Sequence, residues 1–155
     1  MPKGTPKEKV QVVVIAHTGS QLDILLMKTN EARGSFWQNI TGSVEEGESL
    51  AKAAERELLE ESGIKLSQSI IDLQFKFQFT DQNENFVTEH VFLVILNNKS
   101  AQIALDPHEH SACQWIDCSK VSETNYKFLS SYQAFIHAIN YLNTRQDLSQ
   151  IIRRW

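Results

Sequence analysis

The segment from Gly42 to Ile64 constrains this chain more than any other part of the sequence. It reads GSVEEGESLAKAAERELLEESGI, which places acidic residues and one arginine at fixed spacings over a turn and a helix. Residues 50–62 contain no proline or glycine and are rich in strong helix formers. Gly63 follows as a candidate C-terminal cap, because glycine adopts a left-handed backbone at little cost. The segment therefore predicts a loop followed by a capped helix.

Three carboxylates on this predicted helix indicate a cation site. Glu57, Glu60 and Glu61 are spaced by three and four residues, so their side chains share one side of the helix. Like charges this close repel one another, and an oxygen-preferring divalent cation reverses the sign of that interaction. Mg²⁺ suits carboxylates together with water and phosphate oxygens. The alternative is a solvated acidic face, but the two glycines at positions 42 and 47 permit a tight turn toward a metal.

The same helix carries an apolar stripe and a candidate ion pair. The stripe is predicted to face the core and consists of Leu50, Ala54, Leu58 and, on its flank, Ala51. Glu48 lies just before the helix and is expected to pair with Arg56. That pair would join the loop to the helix.

The whole segment resembles a known family signature. As a spacing it reads G-x5-E-x7-R-E-L-x-E-E-x-G-I, and every defined position is filled. This pattern resembles the Nudix box of hydrolases that cleave a diphosphate linked to another moiety. The resemblance implies an α/β fold, the Nudix-type α/β/α sandwich with a mixed sheet between helices, with residues 1–155 as a single domain. It also implies a Mg²⁺ cofactor, for which Mn²⁺ is a possible substitute.

Individual roles follow from the resemblance. The residues expected to hold the metal are Glu57, Glu60, Glu61 and Glu109, with the Gly42 carbonyl as a further ligand. The residues expected to serve catalysis are Arg56, Glu57, Glu60 and Glu109. Glu109 either completes the metal site or acts as the general base that deprotonates the attacking water, and the alternative for it is a surface loop carboxylate.

Residues before the box are expected to meet the rest of the substrate. Lys28 and Arg33 are candidates for phosphate contacts, since a cation near the polyanion stabilises it. Phe36 and Trp37 could stack on a pterin or nucleobase. One of these two aromatic residues is expected to be core, and the sequence does not say which.

The lead-in to the box narrows the substrate. In FWQNITGSVEEGE, Thr41 and Ser43 replace the proline and the second glycine that are usual in the family. This form resembles the Nudix hydrolases of folate biosynthesis, which act on dihydroneopterin triphosphate, as does the segment EHSACQWID at residues 109–117. Thr88 and Glu89 are a weaker match. The expected reaction is attack within the phosphate chain of dihydroneopterin triphosphate or a (deoxy)nucleoside triphosphate, which releases pyrophosphate and leaves the monophosphate.

Two alternatives remain open at this point. The first is a Nudix hydrolase of ADP-ribose, dinucleoside polyphosphates or the 5′ end of RNA. The second is a non-catalytic nucleotide-binding module, against which the intact carboxylates of the box count. The net charge of −4 and the pI near 5.7 provide no basic field for nucleic acid, so a small phosphorylated molecule is the expected partner.

Composition sets further expectations. No apolar stretch is long enough to span a membrane, and the two cysteines, Cys113 and Cys118, are expected to be reduced thiols of a cytoplasmic protein. The spacing of His108 and His110 suggests zinc, but no third ligand stands at a set spacing. The basic end of the chain, residues 153–155, favours a disordered tail or a subunit contact, and a homodimer is possible.

Periodicity predicts the remaining elements. The predicted strands cover residues 10–16, 22–27, 36–40, 70–79, 86–96 and 112–116, and a second helix covers residues 125–142. Alternation at Phe75, Phe77 and Phe79 indicates a half-buried strand.

Overall fold

A computed structural model of the chain describes residues 6–99 and 103–145, so the basic tail at 153–155 lies outside the described residues. The strands are β1 (Lys7–Thr18), β2 (Gln21–Thr29), β3 (Trp37–Gln38), β4 (Ile40–Ser43), β5 (Ile71–Thr80), β6 (Phe86–Leu96) and β7 (His110–Asp117). The α-helices are α1 (Leu50–Ser62) and α2 (Leu129–Thr144), and short 3-10 helices lie at Glu31–Arg33, Cys118–Lys120 and Glu123–Asn125.

The strands form one mixed sheet. Its main order is β3-β2-β1-β6-β5, with β4 also paired to β1 and β7 also paired to β2. β1 and β6 run parallel, and the other pairs are antiparallel. β1 therefore lies at the centre of the sheet, and its β-branched residues are buried on both faces.

The two α-helices cover opposite faces of this sheet. Side chains of β1 alternate between the faces, as a strand requires. Val10, Val12 and Val14 pack with Ala53, Ala54 and Leu58 of α1. Val13 and Ile15 pack with Ala134, Phe135, Ala138 and Leu142 of α2. The predicted α/β/α sandwich with a mixed sheet between helices is confirmed.

Strands β5 and β6 form the predicted hairpin. The turn between them is organised by Asp81, whose carboxylate accepts hydrogen bonds from the backbone of Asn83 and Asn85. Phe75 and Phe77 are half-buried against the α2 side, and Phe79 is exposed at the end of the strand. No helix in residues 6–99 and 103–145 is long and apolar enough to cross a membrane.

The predicted second helix begins too early. Residues 125–142 were expected to be helical, but α2 starts at Leu129, and Tyr126 and Phe128 have extended backbones. Tyr126 is buried, and its hydroxyl donates to Asn39 Oδ1 at 3.2 Å. The Phe128 ring instead packs on Phe36. These two contacts hold the segment extended, so tertiary packing overrides the helical pattern.

The predicted strand over residues 36–40 is two strands. β3 pairs with β2, whereas β4 pairs with β1, so the chain crosses from one neighbour to the other at Asn39. The side chain of Asn39 is fully buried and bonds to Gln11 Oε1 at 2.7 Å and to the Ser131 carbonyl at 3.2 Å. The change of partner strand at Asn39 is thus accompanied by hydrogen bonds from its side chain to Gln11 and Ser131.

Candidate active site

Helix α1 turns two of its carboxylates toward the sheet. Ser49 caps its first turn, and Gly63 ends it with a φ of 77°, as expected for a glycine cap. Glu57 and Glu61 are only 9% and 5% exposed, because they lie on the face that carries Ala53 and Ala54. The predicted stripe is correct except at Ala51, which is exposed. Ala53 fills that role instead.

Gly42 allows the Glu57 carboxyl group to lie directly against the backbone of β4. A Cβ atom at position 42 would stand 1.9 Å from the Glu57 Cδ atom and 2.3 Å from Oε1, far inside any allowed contact. Gly42 is fixed opposite Val10 of β1 by strand pairing. The glycine therefore provides the space that Glu57 occupies.

Arg56 joins the loop before α1 to the carboxylates of the helix. Its Nε and Nη2 donate to the two oxygens of Glu48 at 2.8 and 2.9 Å, which confirms the predicted pair. Nη2 also donates to the Ser43 carbonyl, and Nη1 donates to Glu57 at 2.8 Å and Glu60 at 3.2 Å. These bonds lower the pKa of Glu48 to about 2 and raise that of Arg56. The guanidinium also pairs with Glu45 at 3.0 Å, so it stays charged and contacts four carboxylates.

The loop before β7 brings Glu109 to the same place. The Glu109 N–H donates to the Asp106 carbonyl at 3.0 Å, and its carbonyl accepts from the Asn30 N–H at 3.1 Å. Its carboxylate pairs with Arg33 Nη1 at 2.5 Å. The charge of Glu109 raises the pKa of both Glu57 and Glu61. Glu109 thus lies near enough to Glu57 and Glu61 to influence them electrostatically, although it stands 48 positions after Glu61 in the sequence.

Burial makes the charge on this group costly. It is the largest cause of the raised pKa values of Glu57 and Glu61, and for Glu61 the pKa reaches about 8. Neighbouring negative charges on Glu57 and Glu109 add to the effect at Glu61. Glu61 Oε2 is also buried without a hydrogen-bond partner. A buried oxygen of this kind is stabilised by a cation or a donor.

The donor set fits a hard divalent cation. The carboxylates of Glu57, Glu60, Glu61 and Glu109 and the Gly42 carbonyl supply oxygen only, which is the chemistry that Mg²⁺ prefers. Within residues 6–99 and 103–145, no three acidic, histidine or cysteine side chains stand close enough to hold a metal as they are placed. As they are placed, Arg56 pairs with Glu57 and Glu60, and Arg33 pairs with Glu109.

Of the residues predicted to contact the substrate, one belongs to the core and the others are partly exposed. Trp37 packs against the α2-side core, so it is the core member of the aromatic pair. The Phe36 ring contacts Phe128 edge to face, with centroids 5.5 Å apart. Lys28 is half-buried on β2. The contacts of Phe128 and Lys127 with Phe36 are not predicted from the sequence, because the helical pattern over residues 125–142 places both residues within a helix.

Comparison with known proteins agrees with this geometry. The profile of the NUDIX domain matches residues 7–137. Dihydroneopterin triphosphate diphosphatase of Escherichia coli K12 is 30% identical over 121 residues, which cover 72% of this chain and 79% of that protein. An octanoyltransferase of Myxococcus xanthus is 35% identical over 115 residues. The chain spans only 31% of that protein's length.

Known structures share the architecture. The E. coli dihydroneopterin triphosphate pyrophosphohydrolase superimposes with a TM-score of 0.72 at 29% identity, over 86% of this chain and 95% of that one. An Ap4A hydrolase from C. elegans gives a TM-score of 0.76 at 18% identity, over 90% and 99%. The fold, the filled box and the family match together establish that this chain belongs to the Nudix family of pyrophosphohydrolases.

Proposed function

We propose that this Nudix hydrolase is Mg²⁺-dependent and cleaves dihydroneopterin triphosphate, or a (deoxy)nucleoside triphosphate, to the monophosphate and pyrophosphate. The burial of Glu57 and Glu61 on the sheet-facing side of α1, where Glu61 Oε2 has no hydrogen-bond partner, is the observation that carries the reaction type. The substrate rests on the E. coli dihydroneopterin triphosphate diphosphatase, of which the chain covers 79% at 30% identity.

Glu57, Glu60, Glu61 and the Gly42 carbonyl would hold the cation, which leaves Glu109 for proton transfer. When bound, Mg²⁺ supplies neutralisation of phosphate charge and acidification of a bound water. Arg56 fixes Glu57 and Glu60 in place through hydrogen bonds of 2.8 and 3.2 Å. Because these two side chains are already ordered, they lose less conformational entropy when a ligand binds.

Glu109 is the residue we assign as general base. Its loop is anchored by backbone hydrogen bonds to Asp106 and Asn30, so the backbone that carries the carboxylate is held at a defined place. In the proposed reaction it accepts a proton from water, the water oxygen forms a bond to phosphorus, and the P–O bond to the pyrophosphate leaving group breaks. Arg33, now paired with Glu109, would turn to the phosphate chain, where a guanidinium binds two oxygens.

Substitution of the box carboxylates tests this proposal. Glu57→Gln and Glu60→Gln are expected to lower turnover by orders of magnitude, because an amide is a poor ligand for Mg²⁺. Circular dichroism should show that the fold survives. Glu55→Gln, on the same helix beside Lys52, is the matched control and should keep wild-type turnover. If both Glu57→Gln and Glu60→Gln turned over substrate at the wild-type rate, the assigned metal site would be wrong.

A further inference from the structure

We propose that Phe36, Lys127 and Phe128 form the subsite for the flat heterocycle of the substrate, a pterin or a purine. We call these three residues the aromatic subsite. The inference rests on the proposed function, because the phosphate chain must lie at Glu57, Glu61 and Glu109 for a heterocycle to reach this place. It adds two residues, Lys127 and Phe128, to which the sequence motifs assign no role.

The two rings stand ready for a planar ligand. Phe36 and Phe128 meet edge to face with an interplanar angle of 85°. Phe128 is 49% exposed, although a phenylalanine gains by burial. Its extended backbone, with φ −110° and ψ 134°, directs the ring to Phe36 instead of continuing the helix. An aromatic face held open to solvent in this way suits stacking by a heterocycle.

Lys127 adds a cation to the same surface. Its Nζ atom lies 4.8 Å from the Phe36 centroid and 5.8 Å from the Phe128 centroid. Among the residues that the structure describes, its ammonium has no carboxylate partner within salt-bridge distance. An ammonium beside two rings can donate to the ring carbonyl oxygen that guanine and pterin both carry. The charge and the rings together therefore select a polar, flat group over an aliphatic one.

The aromatic subsite is tied to the carboxylates by a short loop. Phe36 follows the 3-10 helix that carries Arg33, which pairs with Glu109. Both ends of that loop are fixed, since Asn30 bonds to the loop before β7 and the Phe36 backbone bonds to Thr29. Phe36 lies three positions after Arg33, so their Cα atoms stand within about 11 Å of each other. In the proposed pose, a ligand with its phosphates at Arg33 has its heterocycle within reach of Phe36.

Kinetics with matched variants test the subsite. Phe128→Ala and Lys127→Ala are expected to raise KM for dihydroneopterin triphosphate and for GTP about tenfold, because a stacking contact or its cation is lost. We expect kcat to change little. Competitive inhibition by inorganic triphosphate, which has no heterocycle, should be the same in the variants and the wild type. Phe79→Ala removes an exposed phenylalanine of β5 and should leave every one of these constants unchanged.

Binding without turnover separates the subsite from the reaction. Dihydroneopterin and guanosine, both free of phosphate, can be titrated calorimetrically into wild type, Phe128→Ala and Phe128→Leu, which keeps bulk without a ring. Weaker binding by both variants supports the subsite. If the wild type also hydrolyses no triphosphate, that second result rejects only the proposed function. Hydrolysis with unchanged KM and unchanged binding would overturn the subsite and leave the proposed function intact.

Discussion

The position of the Glu57 side chain depends on the absence of a side chain at Gly42. The glycine is required because the Glu57 carboxyl group fills the space that any Cβ atom would take, with only 1.9 Å to Cδ. The glutamate is in turn buried there at a cost that raises its pKa. The backbone of β4 thus positions a carboxylate of α1, which a description of ligands alone would miss.

Gly42→Ala tests this contact. We expect the added methyl group to displace Glu57 and to lower turnover on the order of a hundredfold, the cost of misplacing a catalytic group by about an ångström. Gly47→Ala is the control, because a Cβ atom there meets nothing within 4 Å, although its φ of 79° costs some stability. Steady-state rates and thermal unfolding of both variants make the comparison. Equal activity losses in both would mean that the loop, and not Glu57, is responsible.

A second residue-scale effect concerns Glu89, which is only 6% exposed and accepts a hydrogen bond from Gln11 at 2.9 Å. Burial raises its pKa above the usual value of 4.5, while Lys9 and Gln11 act in the opposite direction. The folded protein therefore holds this proton more tightly than the unfolded chain, so stability falls as pH rises from about 4.5 through the raised pKa. The free energy of unfolding of Glu89→Gln, measured by urea titration across this range, should fall less steeply. Identical slopes for the variant and the wild type would show that Glu89 does not titrate there.

At the scale of elements, a buried polar group joins parts of the chain that are distant in sequence. Asn39 lies between β3 and β4 and bonds to Gln11 of β1, to Ser131 of α2 and to Tyr126 before α2. It is fully buried, so each bond replaces one to water. The start of α2, and with it the ring of Phe128, is held in place by this side chain.

Asn39→Ala should accordingly destabilise the protein by about 3 kcal/mol, because it leaves buried polar partners unsatisfied. Urea unfolding measures this loss. Asn143→Ala, at an exposed position near the end of α2, is the control and should change stability by no more than about 0.5 kcal/mol. A loss below about 1 kcal/mol for Asn39→Ala would show that water satisfies these groups instead.

The sequence predicts some elements well for a physical reason. Helix α1 is recoverable from local propensity, and its bounds at Leu50 and Ser62 agree with the structure. The start of α2 is not, because Tyr126 is held extended by a bond to Asn39, which lies 87 residues earlier. Likewise, the Glu48–Arg56 pair follows from spacing, whereas the bond between Arg33 and Glu109 depends on how two loops meet.

The whole molecule brings the candidate site together across its central sheet. β4 pairs with β1 and presents Gly42 to α1, while β7 pairs with β2 and carries Glu109 on the loop before it. The box and the Glu109 loop are therefore attached to two neighbouring strands, β1 and β2. The extent of one domain over residues 1–155, the cytoplasmic location and a homodimer stay predictions.

Phosphorus NMR of a substrate panel in isotopically labelled water, with and without Mg²⁺, tests the central claim most directly. The panel holds dihydroneopterin triphosphate, nucleoside triphosphates, ADP-ribose and a dinucleoside polyphosphate. We expect pyrophosphate and a monophosphate, formed fastest from dihydroneopterin triphosphate and only with Mg²⁺, with the label in one of the two products. Preference for ADP-ribose or the dinucleoside would contradict the substrate. No turnover of any substrate would contradict the account as a whole and favour a nucleotide-binding module.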